Sequence, residues 1–285
     1  MKVINTVNEL QNEIRNMQLA PVGFVPTMGA LHNGHLSLVN AAADSCPVLV
    51  VSIYVNPAQF NDKNDLRNYP RTLDADLHLL GTVLRDSDIV FAPDDKEIYP
   101  EPDNRKFHFG NLDHVMEAKQ RPGHFNGVAQ VVSRLFDIVK PDAAFFGLKD
   151  FQQLAVIKEL VRQTDNKVKI TGCPIIREYD GLAMSSRNRL LDPDIRKNAP
   201  VIFRTISHAA SMIPRYDIAE IKSYVKDTIN KVQGFEVEYY DIVDDAELIP
   251  VSFKSEMRPS KRYFGCIAVK AGSIRLIDNV EIGLV

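Results

Sequence analysis

The chain has 285 residues, of which 45% are hydrophobic, and its formal net charge is −3 at pH 7. This length and composition predict a globular protein with two domains, and the slightly acidic balance argues against a nucleic-acid partner because no basic field is present to hold a phosphate backbone. The sequence shows no signal-peptide core and no apolar run of membrane-spanning length, so we expect a cytoplasmic protein without membrane contact.

Between residues 22 and 176, short β-branched runs alternate with runs of helical period, which is the pattern of parallel βαβ units. The predicted strands are residues 22–25, 48–55, 88–91, 143–146 and 168–171. The predicted helices are residues 36–43, 72–85, 127–139 and 150–163. In the last helix, Leu154, Ile157 and Leu160 fall on the buried face, and Gln152 is expected on the exposed one.

The pattern changes after Pro193 to helical runs at 194–211 and 217–232, followed by strands at 235–243, 263–270 and 274–277. The short Ala271-Gly272-Ser273 link predicts an antiparallel hairpin in a separate α+β domain. We therefore predict an α/β protein with a Rossmann-like parallel-sheet catalytic domain at residues 1–180 and a smaller C-terminal α+β lid domain at residues 181–285. The boundary falls within residues 177–192.

The cysteines Cys46, Cys173 and Cys266 are odd in number and widely spaced. Such spacing is typical of reduced thiols and not of a disulfide framework or a zinc site. We expect each of them to be a small core residue.

Two histidines, His32 and His35, follow the first predicted strand in a turn that contains Gly29 and Gly34. Free N–H groups and the helix dipole favour anions at such a helix start, and the spacing of three residues places both rings on one helix face. Gly34 has no Cβ, which lets a ligand approach the backbone. The pattern indicates a phosphate site, and two surface histidines at a helix start are the alternative.

A second motif lies at the predicted domain boundary, where Ser185 and Ser186 precede Arg187. Hydroxyl groups and a guanidinium fork match the oxygens of a polyphosphate, although a solvated interdomain turn would also carry such residues. Ligands of parallel sheets bind beyond the carboxyl ends of the strands. The histidine motif, residues 56–60 and residues 147–150 each follow such an end, so we expect them to converge.

The segments that decide the interpretation run in order from Pro26 to Asn188: PTMGALHNGHLSLV, SIYVNPAQF, NYPRTLDADL, RPGHFNGVAQVV, FFGLKDFQQL and REYDGLAMSSRN. In these segments the chain resembles the pantoate–β-alanine ligase family, part of a nucleotidyltransferase group that is similar to class I aminoacyl-tRNA synthetases. Gln130 stands where the family commonly has Thr, and Arg134 where Lys is frequent. The last hundred residues are less distinctive.

The resemblance implies a ligation in two steps. ATP and pantoate give pantoyl adenylate and pyrophosphate, and the amine of β-alanine then displaces AMP to give pantothenate. It implies His32, His35, Lys149 and Arg187 as catalytic residues, because cationic donors stabilise the charge that develops on the phosphates.

The resemblance also implies two sets of binding residues. Gln59 and Gln153 are the implied pantoate residues, with Gln59 also near β-alanine; without the resemblance each would be interpreted as a surface amide. Ordinary core packing is an equal alternative for Ile176. The implied ATP-binding residues are Pro26, Met28, Gly29, His32, Gly34, His35, Gly147, Lys149, Asp150, Ile176, Met184, Ser185, Ser186 and Arg187.

Asp74 and Asp76 lie in a predicted first helical turn, where carboxylates complement the helix dipole for structural reasons. The alternative is a weak Mg²⁺ site, since Mg²⁺ bridges nucleotide phosphates with few protein ligands, and Asp76 is the predicted ligand. Arg121 and His124 belong either to the wall of the active site or to a simple loop. The resemblance further implies a homodimer formed through the N-terminal domain.

Three other classes fit parts of the sequence less well. A cytidylyl- or adenylyltransferase shares the histidine motif but is typically a shorter, single-domain chain with a different Ser/Thr-rich signature. A class I tRNA synthetase would need a Lys-rich loop and a basic RNA-binding domain. A non-catalytic nucleotide-sensing module would not need His32, His35, Lys149 and Arg187 together.

Overall fold

A computed structural model describes residues 1–60 and 63–283 of the chain. The N-terminal part is built on a parallel sheet with the spatial order β1-β4-β3-β2-β5-β6, which confirms the predicted βαβ architecture. Its strands are β1 (Lys2–Ile4), β2 (Val22–Thr27), β3 (Val48–Ile53), β4 (Ile89–Phe91), β5 (Ala143–Gly147) and β6 (Lys169–Cys173).

Helices connect these strands in the order that a parallel sheet requires. The predicted helix at 72–85 is shorter than expected, because Gly81 follows its last residue. The helices are α1 (Val7–Met17), α2 (Asn33–Ser45), α3 (Lys63–Asn68), α4 (Leu73–Leu80), α5 (Asp95–Ile98), α6 (Met116–Gln120), α7 (His124–Val139) and α8 (Phe151–Gln163).

Helices cover both faces of the sheet, because successive strand residues point to opposite sides. Phe24 and Val50 pack into a core formed with α1, α7 and α8. Val25 and Val51 pack on the other side against α2 and α4. The strand β1 and the helix α1 were not predicted; they complete one edge of the sheet beside β4.

The C-terminal part is a three-stranded antiparallel sheet in the order β7-β8-β9 with helices on one face, which confirms the predicted α+β unit. The helix expected at 194–211 is two helices, since Pro200 cannot donate a backbone hydrogen bond at the break. The elements are α9 (Pro193–Asn198), α10 (Val201–Met212), α11 (Ile218–Asn230), β7 (Phe235–Asp244), β8 (Tyr263–Ala271) and β9 (Ile274–Ile282).

The antiparallel sheet lies between its own helices and the N-terminal core. Ile267 and Val269 of β8 pack with α10 and α11, whereas Phe264 and Cys266 join the core of the parallel-sheet unit. The rings of Phe264 and Phe151 of α8 are 4.4 Å apart. One apolar core is therefore shared by the two units.

A partly buried ion pair connects the same two units beside this core. The guanidinium of Arg275 on β9 donates to both carboxylate oxygens of Glu117 on α6, at 2.6 and 2.7 Å. Tyr239 donates to the same carboxylate at 2.7 Å, and Arg275 also pairs with Glu238 at 2.6 Å. Each charge has several partners, which offsets the cost of removing it from water.

The three cysteines are buried free thiols, as expected. In the part of the chain that the structure describes, every helix is too short or too polar to cross a membrane.

Candidate active site

One cleft opens at the carboxyl ends of β2, β3 and β5 and at the segment that follows β6. It collects nearly all the predicted site residues, and the predicted convergence of the three motifs is therefore confirmed. Of the residues predicted for catalysis, for ATP or pantoate binding or as the Mg²⁺ ligand, only Gly29 and Asp76 do not line it. The predicted residues that line it are Pro26, Met28, His32, Gly34, His35, Gln59, Gly147, Lys149, Asp150, Gln153, Ile176, Met184, Ser185, Ser186 and Arg187.

The two histidines form a reciprocal cap at the start of α2. His32 is the N-cap residue and not part of the helix, which corrects the expected placement of both residues on one helix face. Its Nδ1 accepts the N–H of Gly34 at 3.1 Å, and Nδ1 of His35 accepts the N–H of His32 at 3.3 Å. The rings nevertheless lie together, with centroids 4.2 Å apart.

Both rings are neutral near pH 7. Burial and the nearby Lys149 charge lower the pKa of His32 to about 4. Burial, His32 and Lys149 lower the pKa of His35 to about 3. Because Nδ1 of each ring accepts a backbone N–H, the proton of each neutral ring sits on Nε2. The pair can therefore offer Nε2–H donors to an anion in the cleft.

Gly34 is required by the His32 ring. A Cβ at residue 34 would lie 2.8 Å from Cε1 and 2.9 Å from Nδ1 of His32, a distance that side-chain carbons do not tolerate. The local reason for this glycine is therefore the packing of the cap, in addition to the expected close approach of a ligand.

Asp76 holds the turn between β2 and α2. Its side chain is 2% exposed, and its two carboxylate oxygens accept the N–H groups of Ala30 and Leu31 at 2.9 and 2.7 Å. Ala30 has a φ of 51° and Gly29 a φ of 78°, so the carboxylate stabilises a strained turn. A Cβ on residue 29 would lie 2.9 Å from Asp76 Oδ2, which gives Gly29 a structural role.

These contacts give the predicted magnesium ligand no support. Among the side chains that the structure describes, no group of three or more His, Cys, Asp and Glu residues could hold a metal ion. Asp76 uses its oxygens on backbone N–H groups, and Asp74 is exposed in the same first turn of α4. The described residues do not form a protein-held metal centre, and the Asp76 site stays a prediction.

Gln59 lies on a short 3₁₀ turn (Pro57–Gln59) and is buried, in contrast to the surface alternative. Its backbone carbonyl lies 2.7 Å from Nδ1 of His124, so that nitrogen carries the proton because a carbonyl can only accept. Burial and the Arg121 charge lower the pKa of His124 to about 4. His124 does not line the main cleft; it supports Gln59 from an adjoining cavity.

The neighbouring glutamines of α8 have separate roles. Gln152 was expected on the exposed face but is 1% exposed; its amide accepts the N–H of Glu117 and donates to the carbonyls of Leu112 and Val115. Gln153 lines the cleft. A helical period cannot reveal that a loop covers the polar face, and this is why the prediction for Gln152 was wrong.

The segment with the two serines is braced from outside the cleft. Ser185 is the N-cap of a 3₁₀ turn and accepts the N–H of Arg187 at 3.3 Å. Asn188 donates to Glu178 at 2.7 Å, and Glu178 also pairs with Arg196 at 2.8 Å. These bonds fix the backbone that presents the two hydroxyls and the guanidinium of Arg187 to the cleft.

Sequence reasoning missed the apolar wall of the cleft. Helix α7 contributes a stripe at helical spacing, and Phe146 of β5 extends it. The stripe was visible in the sequence, but the same pattern describes any core-facing helix. The stripe consists of Val128, Val131, Val132 and Leu135.

Comparison with known proteins agrees with this geometry. The family model described as pantoate-beta-alanine ligase matches residues 2–281. The chain belongs to this family. It is a ligase of pantothenate biosynthesis that condenses pantoate with β-alanine.

Relatives within the family cover the whole chain. The pantothenate synthetase of Bacteroides thetaiotaomicron is 50% identical over 283 residues, which is 99% of each protein, and that of Porphyromonas gingivalis W83 is 45% identical over the same share. The solved structure of the Thermus thermophilus enzyme has a TM-score of 0.90 at 40% identity and covers 100% of both chains. The Francisella tularensis pantoate-beta-alanine ligase, complexed with beta-gamma ATP and beta-alanine, has a TM-score of 0.77 at 33% identity over 99% of this chain and 97% of that one.

The role of Asp76 in the turn predicts a stability defect. Asp76→Ala leaves two buried N–H groups without acceptors, and charged hydrogen bonds contribute about 1.5–3 kcal/mol each. We expect the free energy of unfolding, measured by urea denaturation, to fall by about 3 kcal/mol or more with or without Mg²⁺. The exposed Asp74→Ala should change it by less than about 0.5 kcal/mol. Equal stability of the two variants would contradict this role.

Because the pKa values of His32, His35 and His124 are lowered, we predict that the protein loses folding stability at mildly acidic pH, above the pH range in which carboxylates titrate. From pH 6.5 down to about 5 the unfolded chain binds protons that the folded protein does not. The contribution of the neutral histidines to the free energy of unfolding is therefore complete above pH 6.5 and is lost as the pH falls. The slope is up to roughly 1.4 kcal/mol per pH unit for each histidine. Urea midpoints at pH 7.5 and 5 measure this loss, and His124→Gln should reduce it. A parent protein equally stable at both pH values would show that these rings are not neutral.

Proposed function

We propose that the ligation proceeds through a pantoyl adenylate, with ATP as the second substrate and pyrophosphate and AMP as products. The observation that carries this proposal is the composition of the cleft described above. Neutral histidine donors, a lysine and the Ser185–Arg187 segment lie on the same cleft as two uncharged glutamines and an apolar wall. Such a cleft suits a polyphosphate and a small hydroxy acid side by side.

The chemistry explains why both kinds of group are needed. A carboxylate resists attack by an amine because its carbonyl carbon is electron-rich and oxide is a poor leaving group. In the first step a pantoate carboxylate oxygen bonds to the α-phosphorus, and the bond from that phosphorus to pyrophosphate breaks. In the second step the β-alanine nitrogen bonds to the acyl carbon, AMP leaves with the former carboxylate oxygen, and the nitrogen loses a proton.

His32, His35, Lys149 and Arg187 stabilise the charge that develops on the α-phosphate and on the departing pyrophosphate. Neutral Nε2–H donors suit this role because their lowered pKa values keep both rings in one protonation state near pH 7. The two hydrogen-bond donors are therefore always present. Preorganised donors of this kind each contribute about 10²–10³ in rate. Ser185 and Ser186 add hydroxyl donors to the same phosphates.

Pantoate is assigned to the side of the cleft with Gln59 and Gln153. An amide offers both a donor and an acceptor to a hydroxyl or carboxylate without an added charge. Helix α7 lies directly against the Gln59 turn, since Asn56 donates to the carbonyl of Gly127 at 3.1 Å. The apolar stripe of α7 therefore begins beside Gln59, where it suits the methyl groups of pantoate.

The nucleotide is assigned to the other predicted residues. A homologous ligase from Francisella tularensis was solved with beta-gamma ATP and beta-alanine, which supports both as ligands here. Asp150 is exposed at the start of α8 and makes no capping bond with its side chain, so its carboxylate is available to a ribose. Ile176 is only partly buried and lines the cleft, which favours the adenine side over core packing. Pro26 and Met28 share that assignment.

Mg²⁺ is part of the proposal only as an ion carried by the phosphates of ATP, which then supply most of its ligands. No step above depends on it. The domain division after residue 180, the lid role of residues 181–285, the homodimer formed through the N-terminal domain and the cytoplasmic location are likewise predictions.

Removing the phosphate donors should slow the first step. We expect His35→Ala and Lys149→Ala to lower pantoate-dependent pyrophosphate release by about 10²-fold or more with the fold intact. Matched controls are the exposed His78→Ala and Lys158→Ala, which should keep the parental rate. Pyrophosphate release within a few-fold of the parent protein would remove the residue concerned from the catalytic set.

Removing the amides should weaken the binding of pantoate. Gln59→Ala and Gln153→Ala leave a buried substrate hydroxyl or carboxylate without a partner, which costs about 1–3 kcal/mol. Calorimetry should show pantoate affinity reduced by about 5- to 150-fold, whereas ATP affinity stays near that of the parent and of the exposed Gln163→Ala control. Loss of ATP affinity with pantoate affinity kept would reverse the assignment of the two sides.

A further inference from the structure

The backbone that carries Lys149 is held from the C-terminal sheet. The side-chain amide of Asn279 on β9 donates to the carbonyl of Leu148 at 2.9 Å and to the carbonyl of Lys149 at 3.2 Å. Leu148 and Lys149 belong to the short connection between β5 and α8. One side chain therefore fixes two successive peptide groups beside the cleft.

The other side of this connection is fixed by the parallel sheet. The N–H of Leu148 donates to the carbonyl of Cys173 on β6 at 2.8 Å. The Lys149 backbone is thus held between β6 of the N-terminal unit and β9 of the C-terminal unit. Without Asn279, the second of these supports is absent and two carbonyls lose a buried donor.

Asn279 is itself held in place. It is 4% exposed, and its N–H donates to Asp278 Oδ1 at 2.8 Å. The backbone carbonyl of Asn279 accepts a hydrogen bond from Arg177 at 3.3 Å. Arg177 also forms a bidentate salt bridge with Asp278, at 2.7 and 3.0 Å. The guanidinium carbon of Arg177 lies 3.6 Å from the centre of the Phe203 ring. These contacts make the Asn279 amide a fixed support.

We propose that Asn279 is a positioning residue for the first step of the reaction, acting through Lys149. This inference rests on the proposed function. A lysine ammonium is carried on a flexible four-carbon stem, so its place over a phosphate depends on the backbone at the base of the stem. A displacement of about 1 Å at a reacting group is enough to cost about 10²-fold in rate.

The chain offers a matched control for the bond type. Asn111 also donates its amide to two successive carbonyls, those of Glu247 at 2.8 Å and Leu248 at 3.3 Å, and it also connects the two units. Asn111 does not line the cleft. If contact between the units were all that matters, the loss of either asparagine would have the same effect on the reaction.

The test compares Asn279→Ala with Asn111→Ala in pantoate-dependent pyrophosphate release by the full chain. We expect kcat of Asn279→Ala to fall by about tenfold or more with KM for ATP and pantoate within about twofold, and Asn111→Ala to keep the parental kcat. Circular dichroism and urea midpoints report whether each variant folds. If Asn279→Ala does not fold, Asn279→Ser, which keeps a short donor, takes its place.

The double variant Lys149→Ala/Asn279→Ala distinguishes action through Lys149 from a separate effect. If Asn279 acts through Lys149, the double variant is no slower than Lys149→Ala alone. Two results overturn this inference alone. In the first, the double variant is slowed by the product of both single effects. In the second, Lys149→Ala is slow but Asn279→Ala is as fast as Asn111→Ala. A Lys149→Ala as fast as the parent protein overturns the proposed role of Lys149 in the reaction and this inference with it.

Discussion

The buried carboxylate of Asp76 accepts two consecutive backbone N–H groups, from Ala30 and Leu31, and the rest of the site is built on this contact. The turn after β2 has two residues in the left-handed region, one of which is Ala30. Such a turn needs an acceptor that reaches both N–H groups, and a carboxylate has two oxygens for them. Once the turn is fixed, His32 lies at the N-cap of α2 and His35 one turn further, where Nδ1 of each ring accepts a hydrogen bond from a backbone N–H.

The capping bonds then determine what the histidines can do chemically. A histidine that accepts at Nδ1 and lies beside Lys149 gains little from protonation, and burial adds to this effect. The rings are therefore neutral donors with a fixed tautomer. The positive charge of the site comes from Lys149 and Arg187, which lie on two other segments. The charged groups and the neutral hydrogen-bond donors of the cleft therefore come from separate parts of the fold.

The strands and most helices could be predicted from the sequence because buried parallel strands are short apolar runs and helices repeat at 3.6 residues. The convergence of the motifs also followed, since parallel strands end at one edge. What could not be predicted depends on contacts between distant residues. Neither the burial of Gln152 under a loop nor the support of Gln59 by His124 leaves a local pattern. The use of Asp76 by a turn 46 residues earlier in the chain does not leave one either.

The edge strand β1 and helix α1 escaped prediction for a different reason. A three-residue strand with the burial pattern exposed, exposed, buried has no period to detect, and α1 buries only Leu10 completely. Both elements acquire their structure from the sheet edge and the helix α7 that they cover. Local sequence therefore predicts the strands and helices that line the cleft more clearly than it predicts β1 and α1, which pack at the edge of the fold.

The apolar face of β8 that joins the N-terminal core has a consequence for how the protein unfolds. Phe264 and Cys266 fill the same core as Phe151, so melting of the small sheet would open the large unit to water and leave the Glu117 carboxylate without its guanidinium. Neither half then retains a complete interior. The architecture has two sheets, but from the shared core we expect it to unfold as one cooperative unit, with a single transition for both halves.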